Sequence, residues 1–344
     1  MMTALARRIG YGLALAVVLA AGCAPIGTGA ARQAARSTSA TSQPEAKQDK
    51  AVDLRCLLIP SSLAQPVRIH VVEHRLTESA ETGSTTQDVD LDLHALLRAV
   101  KVRDDGAVEA TLRFVRIRMK VDAPQSSLAY DSENDKAGKG DQLADLMEAV
   151  TDAELTLLVS PDGRLLELRG LDHRWRQAGV IVPPPHLLAV YWFFRDNCML
   201  ELVGEALFPV MPAGRAQVGE TWEAEIPADI PLAARLNSCL RWSLCSVTDD
   251  DPVPAEVWFE AKGTVRLADL PMKDTSPGIR PYLKSGTHNV EAKLCPATGT
   301  FQQSSSRLID VELILTPPSG KERLRTTIHQ ERRLTAQRGP ARRP

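Results

Sequence analysis

Polar and apolar residues alternate with a period of two in two runs between Asp88 and Val121. The first run places aspartates at positions 88, 90 and 92 between valine and leucine, and the second places arginine or lysine at 116, 118 and 120 between apolar residues. This is the period of a β-strand with one buried face. Asp104-Asp105-Gly106 between the runs predicts a three-residue turn with a left-handed glycine, so the segment is a long hairpin.

The register of this hairpin follows from its turn. Pairing the flanking residues 103 and 107 sets Asp92 opposite Arg118 and Asp90 opposite Lys120. Cross-strand pairs of opposite charge contribute roughly 0.2 to 1 kcal/mol each. We therefore interpret the aspartates as devices of register and solubility rather than as a cation site.

The same pattern of strand, turn and strand recurs along the chain. Pro161-Asp162-Gly163 separates two short runs, an acidic segment ending at Pro252 separates two longer ones, and the last three segments are joined at Thr298-Gly299 and at residues 317–320. The predicted strands are residues 155–160, 165–170, 240–247, 256–267, 290–294, 301–315 and 323–334. Such spacing indicates antiparallel hairpins.

Two segments have a helical pattern instead. Asp141 can cap a helix with Leu143, Leu146, Met147 and Val150 on one buried face. The second helix, from Pro185 to about Gly204, is apolar nearly all round and contains four consecutive aromatic residues. These are Tyr191, Trp192, Phe193 and Phe194. Core filling is one interpretation of them, and the other is that they line a groove for an acyl chain or another apolar ligand.

These elements predict an α+β, mainly β domain of antiparallel sheets built of long hairpins, with two helices packed on or between them. The domain spans residues 53–337, and similar patterns in residues 53–180 and 205–337 suggest two halves. The arginine-rich end is interpreted as an edge strand followed by a disordered tail, residues 338–344. Its arginines are Arg332, Arg333, Arg338, Arg342 and Arg343.

The N-terminus has the layout of a secretory signal: Arg7 and Arg8, an apolar run to Gly22, then Cys23. Leu19-Ala20-Ala21-Gly22 before the cysteine resembles the lipobox of bacterial lipoproteins. The resemblance implies removal of residues 1–22 and lipidation of Cys23, and Ala24 after it implies the outer membrane, facing the periplasm. Residues 23–52 are poor in apolar side chains and form a disordered tether.

The net charge limits the classes of molecule that the protein is expected to bind. The formal charge of −2 does not indicate nucleic acid, so the expected partners are a membrane, through the lipid, and an apolar ligand or envelope protein.

Five other cysteines lie in a compartment that permits disulfides, and their odd number leaves the pairing open. They are Cys56, Cys198, Cys239, Cys245 and Cys295. Cys239 and Cys245 are too far apart along one strand to bridge each other, although either could reach Cys295 on a neighbouring strand.

A V-G-E-x-W motif at Val218 to Trp222 is preceded by a strand turn at Asp162-Gly163 and followed by a strand pair around Thr298-Gly299-Thr300. In this order, behind a lipobox, the features resemble an uncharacterised family of secreted bacterial lipoproteins, a domain of unknown function, over about residues 85–335. The resemblance implies a fold and a compartment. It brings no activity and no catalytic residues.

Three short motifs resemble metal-binding or phosphate-binding signatures but lack residues or the local structure that those signatures need. His70-Val71-Val72-Glu73-His74 spells the H-x-x-E-H pattern of zinc peptidases, which needs a helix, whereas this segment reads as a strand. Asp131, Glu133 and Asp135 lack the glycine of a calcium loop, and Gly320-Lys321 lacks the rest of a phosphate loop. We expect no metal, no cofactor and no catalytic residue.

These observations favour a non-enzymatic cell-envelope lipoprotein whose β-rich domain binds an apolar ligand or a protein partner. The alternative is an envelope hydrolase with a site that is not visible in the sequence. That alternative requires Asp, Glu, His or Ser side chains that converge in one pocket.

Overall fold

A computed structural model of the chain describes residues 52–53, 58, 63–81, 83–124, 126–135, 142–151, 153–179, 187–212, 215–228, 230, 234–248, 256–268, 279–315 and 324–340. The signal segment, Cys23, the tether, Cys56 and Asp141 lie outside these residues, as do Arg342 and Arg343.

The described chain is mainly β, with four short helices. The strands are β1 (Val52–Asp53), β2 (Gln65–Ser79), β3 (Gly83–Val102), β4 (Val108–Ala123), β5 (Ser126–Asp131), β6 (Glu154–Val159), β7 (Leu165–Arg169), β8 (Arg215–Ala216), β9 (Thr221–Pro227), β10 (Leu236–Thr248), β11 (Glu256–Leu267), β12 (Ile279–Cys295), β13 (Thr300–Leu315) and β14 (Leu324–Arg338). The helices are α1 (Gln142–Glu148), α2 (Leu171–Gln177), α3 (Leu188–Phe193) and α4 (Asp196–Leu207).

One antiparallel sheet of 12 strands organises the molecule. Its order is β7-β6-β4-β3-β2-β14-β13-β12-β11-β10-β9, and β5 pairs with β4. The first strand of this sheet along the chain, β2, lies in its middle. From β2 the chain runs outward to β7, passes through α2 to α4, and returns from β9 to β14 beside β2. The predicted class, mainly β with antiparallel hairpins, is confirmed.

The predicted register of the first long hairpin is also confirmed. Asp92 lies opposite Arg118 and Asp90 opposite Lys120, around a turn whose Gly106 has φ of 80°. Two β-bulges, at His94/Ala95 and Ala99/Lys101, shift the register in opposite senses and cancel. The aspartates nevertheless take their closest partners from β2 rather than from β4, as described below.

The predicted second helix is wrong as one continuous element. Arg195 has an extended backbone, φ −94° and ψ 153°, and separates α3 from α4. A further helix, α2, was not predicted. Trp175 of α2 donates its indole N–H to the carbonyl of Phe194 at 2.9 Å, and the Arg195 guanidinium donates to the Asp172 carboxylate at 2.8 Å. These contacts bind α2, α3 and α4 into one unit, which we call the helical cover.

The C-terminal strand is not the edge strand that its arginines suggested. β14 lies between β13 and β2 near the centre of the sheet, where it joins the two halves of the chain. Arg338, assigned to a disordered tail, ends β14 with a buried side chain that stacks on the Phe301 ring. The arginines of β14 alternate between the two faces, so those at even positions turn inward.

The core consists of three apolar clusters on the inner face of the sheet. The largest lies between β2, β3, β4, β6, β7 and the four helices, and a second involves β9 to β13. The third includes Leu236, Val265, Ile309 and Ile328. Between these clusters the inner face of the sheet is polar, and this interruption is the most unusual feature of the fold.

A candidate binding site beneath helix α4

A row of polar side chains crosses the inner face of four adjacent strands. Glu73 of β2 pairs with Arg332 of β14, Arg332 with Arg307 of β13, and Arg307 with His288 of β12. Neighbouring inward positions add further polar residues. We call the whole set the polar belt, and its members are Glu73, Arg75, His288, Gln303, Ser305, Arg307, Gln330 and Arg332.

Helix α4 places one carboxylate on this belt. The side chain of Glu205 is 5% exposed and lies 3.6 Å from Nη1 of both Arg307 and Arg332. Ser305 donates its hydroxyl to the same carboxylate at 3.1 Å, and the Gln303 amide donates to the Glu205 backbone carbonyl at 2.6 Å. The last contact satisfies a carbonyl in the final turn of α4, which has no partner within the helix.

The charge state of this contact follows from its surroundings. Burial alone would raise the pKa of Glu205, but the positive charges of Arg332 and Arg307 outweigh it and lower the pKa to about 2. Burial lowers the pKa of His288 to about 4, against the opposing attraction of Glu205. At neutral pH, Glu205 is therefore an anion and His288 an uncharged imidazole, so their contact at 3.6 Å is not an ion pair.

His288 reaches across a neighbouring strand. Its Nδ1 lies 2.9 Å from the Ser238 hydroxyl on β10, although β11 lies between β10 and β12. Gly263 of β11 is the residue directly opposite His288. A Cβ at Gly263 would come within 1.9 Å of the Cys239 carbonyl oxygen, so the strands approach here too closely for any other residue.

Many atoms of the polar belt lack a hydrogen-bond partner among the described residues. Glu73 and Arg75 form a close pair at 2.7 Å, yet even there Nε of Arg75 is unpartnered. The buried atoms without a partner are Nε of Arg75, Nε and Nη1 of Arg307, Nε of Arg332, Nε2 of His288, and Oε1 of both Gln303 and Gln330. Most are donors, so the belt has capacity to bind an anion.

Ser238, His288 and Glu205 place a hydroxyl, an imidazole and a carboxylate next to one another, as the catalytic groups of a serine hydrolase are arranged. The hydroxyl and imidazole are within hydrogen-bond distance, but the His288–Glu205 separation of 3.6 Å is not. Ser238 and His288 are both 0% exposed, and the lowered pKa of His288 makes it a weak base. The arrangement therefore fits a buried polar network better than an activated nucleophile.

The aromatic residues predicted to line a groove lie in the helical cover. Phe194 is fully buried and Tyr191 is buried against Trp175, with ring centroids 5.5 Å apart, while Phe193 is partly buried. The side chain of Trp192 is not among those that the structure describes. Tyr191 and Phe194 fill the core, and α4, which carries Glu205, follows them in the chain.

The residues of the H-x-x-E-H motif lie on opposite faces of one strand. His70 and His74 are on the outer face of strand β2 and pair with Asp90 at 2.9 Å and Asp88 at 2.6 Å, whereas Glu73 turns inward. The H-x-x-E-H residues therefore cannot share a metal ion. Among the described residues, no cluster of three or more His, Cys, Asp or Glu side chains could hold one.

The acidic residues near the end of β5 face cations of the protein itself. Asp131 accepts a hydrogen bond from Arg116 at 2.8 Å, and this contact lowers the pKa of the carboxyl group. With Asp135, Arg118 and Lys120 it lines a surface hollow of about 240 Å³. The neighbouring positive charges make this hollow unsuitable for calcium.

No disulfide joins the cysteines that the structure describes. Cys239 and Cys245 both lie on β10 and Cys295 lies on β12, with β11 between them, so the expectation that either reaches Cys295 on a neighbouring strand is wrong. Cys239 alternates with the buried Ser238 and Leu240 and therefore lies on the outer face of β10, in register with Glu225 of β9 and Thr264 of β11.

Sequence reasoning missed the polar belt. Its one signal was the segment from Gln302 to Arg307, which is polar at every position inside a strand with apolar ends. A strand that is polar on both faces indicates either an edge or a buried polar site. Glu205 gave no such signal, because a glutamate in an apolar helix is most simply placed toward solvent.

Comparisons with known proteins do not assign the chain. No protein-family model matches it, and no curated protein matches it. A solved structure described as lipid–protein interactions in lipovitellin aligns with 81% of this chain at 11% identity and a TM-score of 0.38, and this chain spans about a quarter (26%) of that one.

Two Pseudomonas aeruginosa proteins also align with 81% of this chain at 8% identity. The outer membrane protein OprG is 98% covered with a TM-score of 0.20, and OccK7 (OpdD) is 99% covered with a TM-score of 0.23. With scores below 0.5, none of the three structures defines the fold or function here. Among the described residues, no helix is long and apolar enough to cross a membrane.

Proposed function

We propose that this protein is a lipid-anchored cell-envelope protein that binds an apolar ligand between the sheet and the helical cover. The observation that carries the proposal is the set of buried polar atoms without hydrogen-bond partners where α4 covers the polar belt. Ligand binding requires the cover to move away from the sheet, and here the movement gives unsatisfied groups access to hydrogen-bond partners.

The apolar side of the site is the largest core cluster. Leu202, Val203 and Ala206 of α4 pack in this cluster with the sheet residues Leu334 and Ala336. Burial of apolar area contributes about 25 cal/mol per Å², whichever apolar group provides it. An acyl chain can therefore replace the apolar face of α4 at little loss of hydrophobic stabilisation.

The polar belt lowers the free energy that is needed to open the cover. A buried polar atom without a hydrogen bond costs about 1–3 kcal/mol, and several such atoms of Arg307, Arg332 and His288 lie at or near α4. Opening lets these groups hydrate, which offsets part of the apolar exposure. The closed state is consequently favoured by a smaller margin than the apolar packing alone would give.

A disulfide that fixes α4 to the sheet tests this proposal. A Cβ at Gly204 lies 3.8 Å from the Cβ of Leu165 on β7, which matches the mean Cβ separation of about 3.8 Å in disulfides. We expect the full chain carrying Gly204→Cys and Leu165→Cys to lose at least about tenfold in affinity for a fluorescent long-chain acyl probe when oxidised. Reduction should restore binding.

The single variant Gly204→Cys is the matched control, since it carries the same helix substitution but cannot form the bond. Its probe affinity should not depend on oxidation. Equal probe binding by the oxidised and reduced forms of the double variant would contradict an opening cover. Binding of an envelope protein that survives the oxidised lock would instead favour a protein partner on the outer surface.

The anchor is a separate part of the proposal and rests on the sequence before Cys23. We expect metabolically supplied palmitate to label the wild-type protein in the membrane fraction. Cys23→Ala should abolish the label, and label retained in that variant would contradict lipidation.

The alternative function is hydrolysis, favoured by the Ser238–His288 contact alone. It predicts cleavage of a long-chain acyl ester that is lost in Ser238→Ala. The site geometry favours binding, so we expect no turnover above that of Ser238→Ala in the wild-type protein.

A further inference from the structure

We propose that Arg307 and Arg332 bind the anionic headgroup of an amphiphile, in the position that the Glu205 carboxylate occupies when the cover is closed. This inference rests on the proposed function and adds a ligand class to it: a long alkyl chain with a carboxylate or phosphate head. Glu205 then acts as an internal substitute for the ligand's head.

Charge is divided unequally between the cover and the sheet. The belt contributes Arg75, Arg307 and Arg332 against the single carboxylate of Glu73, a net charge of +2 with neutral His288. Helix α4 faces it with Glu205 and, one turn earlier, Glu201, whose charge also acts on Arg307. When α4 moves away, the sheet keeps an uncompensated positive charge on the polar belt, between the apolar clusters of the inner face.

The donors converge on one point. Arg307, Arg332 and Ser305 all face the Glu205 carboxylate, from two adjacent strands. Both guanidinium contacts are 3.6 Å, longer than the 2.7–2.9 Å of a charge-assisted hydrogen bond. Glu205 is fixed to a helix and reaches neither guanidinium fully, whereas a headgroup on a flexible chain can approach both.

Apolar surface flanks the donors along the strands that carry them. On β14, Leu334 and Ala336 follow Arg332 on the inner face, and they lie beside the buried Val71 and Ile69 of β2. A head held at the two arginines therefore has an apolar path for its chain along the β14–β2 side of the belt. This juxtaposition distinguishes an amphiphile from a free inorganic anion, which would gain nothing from the apolar flanks.

The test compares three probes of equal chain length on the full-length protein at pH 7: an alkyl phosphate, a fatty acid and the uncharged alcohol. We expect both anions to bind about tenfold more tightly than the alcohol. Inorganic phosphate should compete only weakly. Competition as strong as that of the alkyl phosphate would overturn the amphiphile assignment in favour of a free anion site.

Two variants locate the effect. Glu205→Gln removes the competing carboxylate and should raise the affinity for both anions, by about tenfold, while leaving that for the alcohol little changed. Arg332→Gln should reduce the preference for anions to about twofold or less. Arg332 is chosen because its side chain is 14% exposed, compared with 2% for Arg307, so the variant is more easily accommodated.

The outcomes distinguish failure of the headgroup inference from failure of the proposed apolar-ligand binding. Equal binding of all three probes by the wild-type protein would overturn the headgroup inference while leaving an apolar site. Absence of binding by every probe would contradict the proposed function and the inference together. If Arg332→Gln does not fold, as judged by circular dichroism, the comparison of anions with alcohol in the wild-type protein still decides.

Discussion

The two faces of the central sheet use the same kinds of charged residue in opposite ways. On the outer face of β2 and β3, Arg68 pairs with Asp92, His70 with Asp90 and His74 with Asp88, at 2.6 to 2.9 Å, and of these six side chains only that of Asp92 is buried. On the inner face, Glu205 faces Arg307 and Arg332 at 3.6 Å, away from water.

The two faces differ in how exposed their charged groups are and in how fully those groups are hydrogen-bonded. Outer pairs are short because exposed side chains adjust freely, and they contribute little because water screens them. Inner groups are held by a helix and by strands, so they cannot adjust, and burial makes every missing hydrogen bond expensive. The buried arginine donors that remain without a hydrogen bond are better explained by a ligand than by stability.

The largest expected effect is on the inner face. Glu205→Ala leaves Arg307 and Arg332 without their buried counter-charge, and loss of one partner of a buried pair typically costs about 3–5 kcal/mol. We expect the free energy of unfolding, from urea denaturation at pH 7, to fall by about 3 kcal/mol or more. A loss below about 1 kcal/mol would place the inner carboxylate in the same class as the outer pairs.

The next effect is a dependence on pH. The pKa of His288 is lowered from 6.5 to about 4 in the folded protein, so the unfolded chain binds a proton first as pH falls. The stability from this group is therefore full above pH 6.5 and declines down to pH 4, by about 3 kcal/mol.

His288→Gln should remove this part of the pH dependence while keeping a polar side chain beside Ser238. The measurement is urea denaturation of wild type and variant at steps between pH 7 and pH 4. Parallel curves for the two proteins would show that His288 is not held neutral by burial. Glu205 begins to contribute in both proteins below about pH 5, because its pKa is about 2 in the folded protein and 4.5 normally. The effect of His288 is therefore taken from the difference between the two curves.

The smallest effect is on the outer face. Asp90→Asn removes the charge partner of His70, and exposed pairs contribute about 0–1 kcal/mol. We expect a change in unfolding free energy below about 1 kcal/mol, reduced further in high salt. A cost like that of Glu205→Ala would break the contrast between the faces.

Strand periodicity was enough to predict the hairpin class and the pairing of Asp90 with Lys120. It predicted β12 only from residue 290, whereas the strand begins at Ile279. The missing part contains Gly286 and His288 on the inner face, where an apolar residue would have continued the pattern. The same interruption hid the polar belt, since its residues come from four strands that are adjacent only after folding.

The neighbours of a strand in the sheet could not be read from local pattern either. β14 was assigned to an edge because of its arginines, although pairing with β2, more than 240 residues earlier in the sequence, places it centrally. The break at Arg195 depends on its long-range pair with Asp172. Helical periodicity alone gave no indication of either contact.

Opening of α4 over the polar belt is the central claim, and native-state hydrogen exchange measures it directly. The amides of Met199 in the first turn of α4 and of Phe208 directly after its last residue are protected by bonds within the helical cover, to the carbonyls of Arg195 and Gly204. The account predicts that they exchange through a local opening of lower free energy than the amides of the β13–β14 ladder. If the α4 and β13 amides share one opening free energy and one denaturant dependence, α4 separates only on global unfolding, and the claim is contradicted.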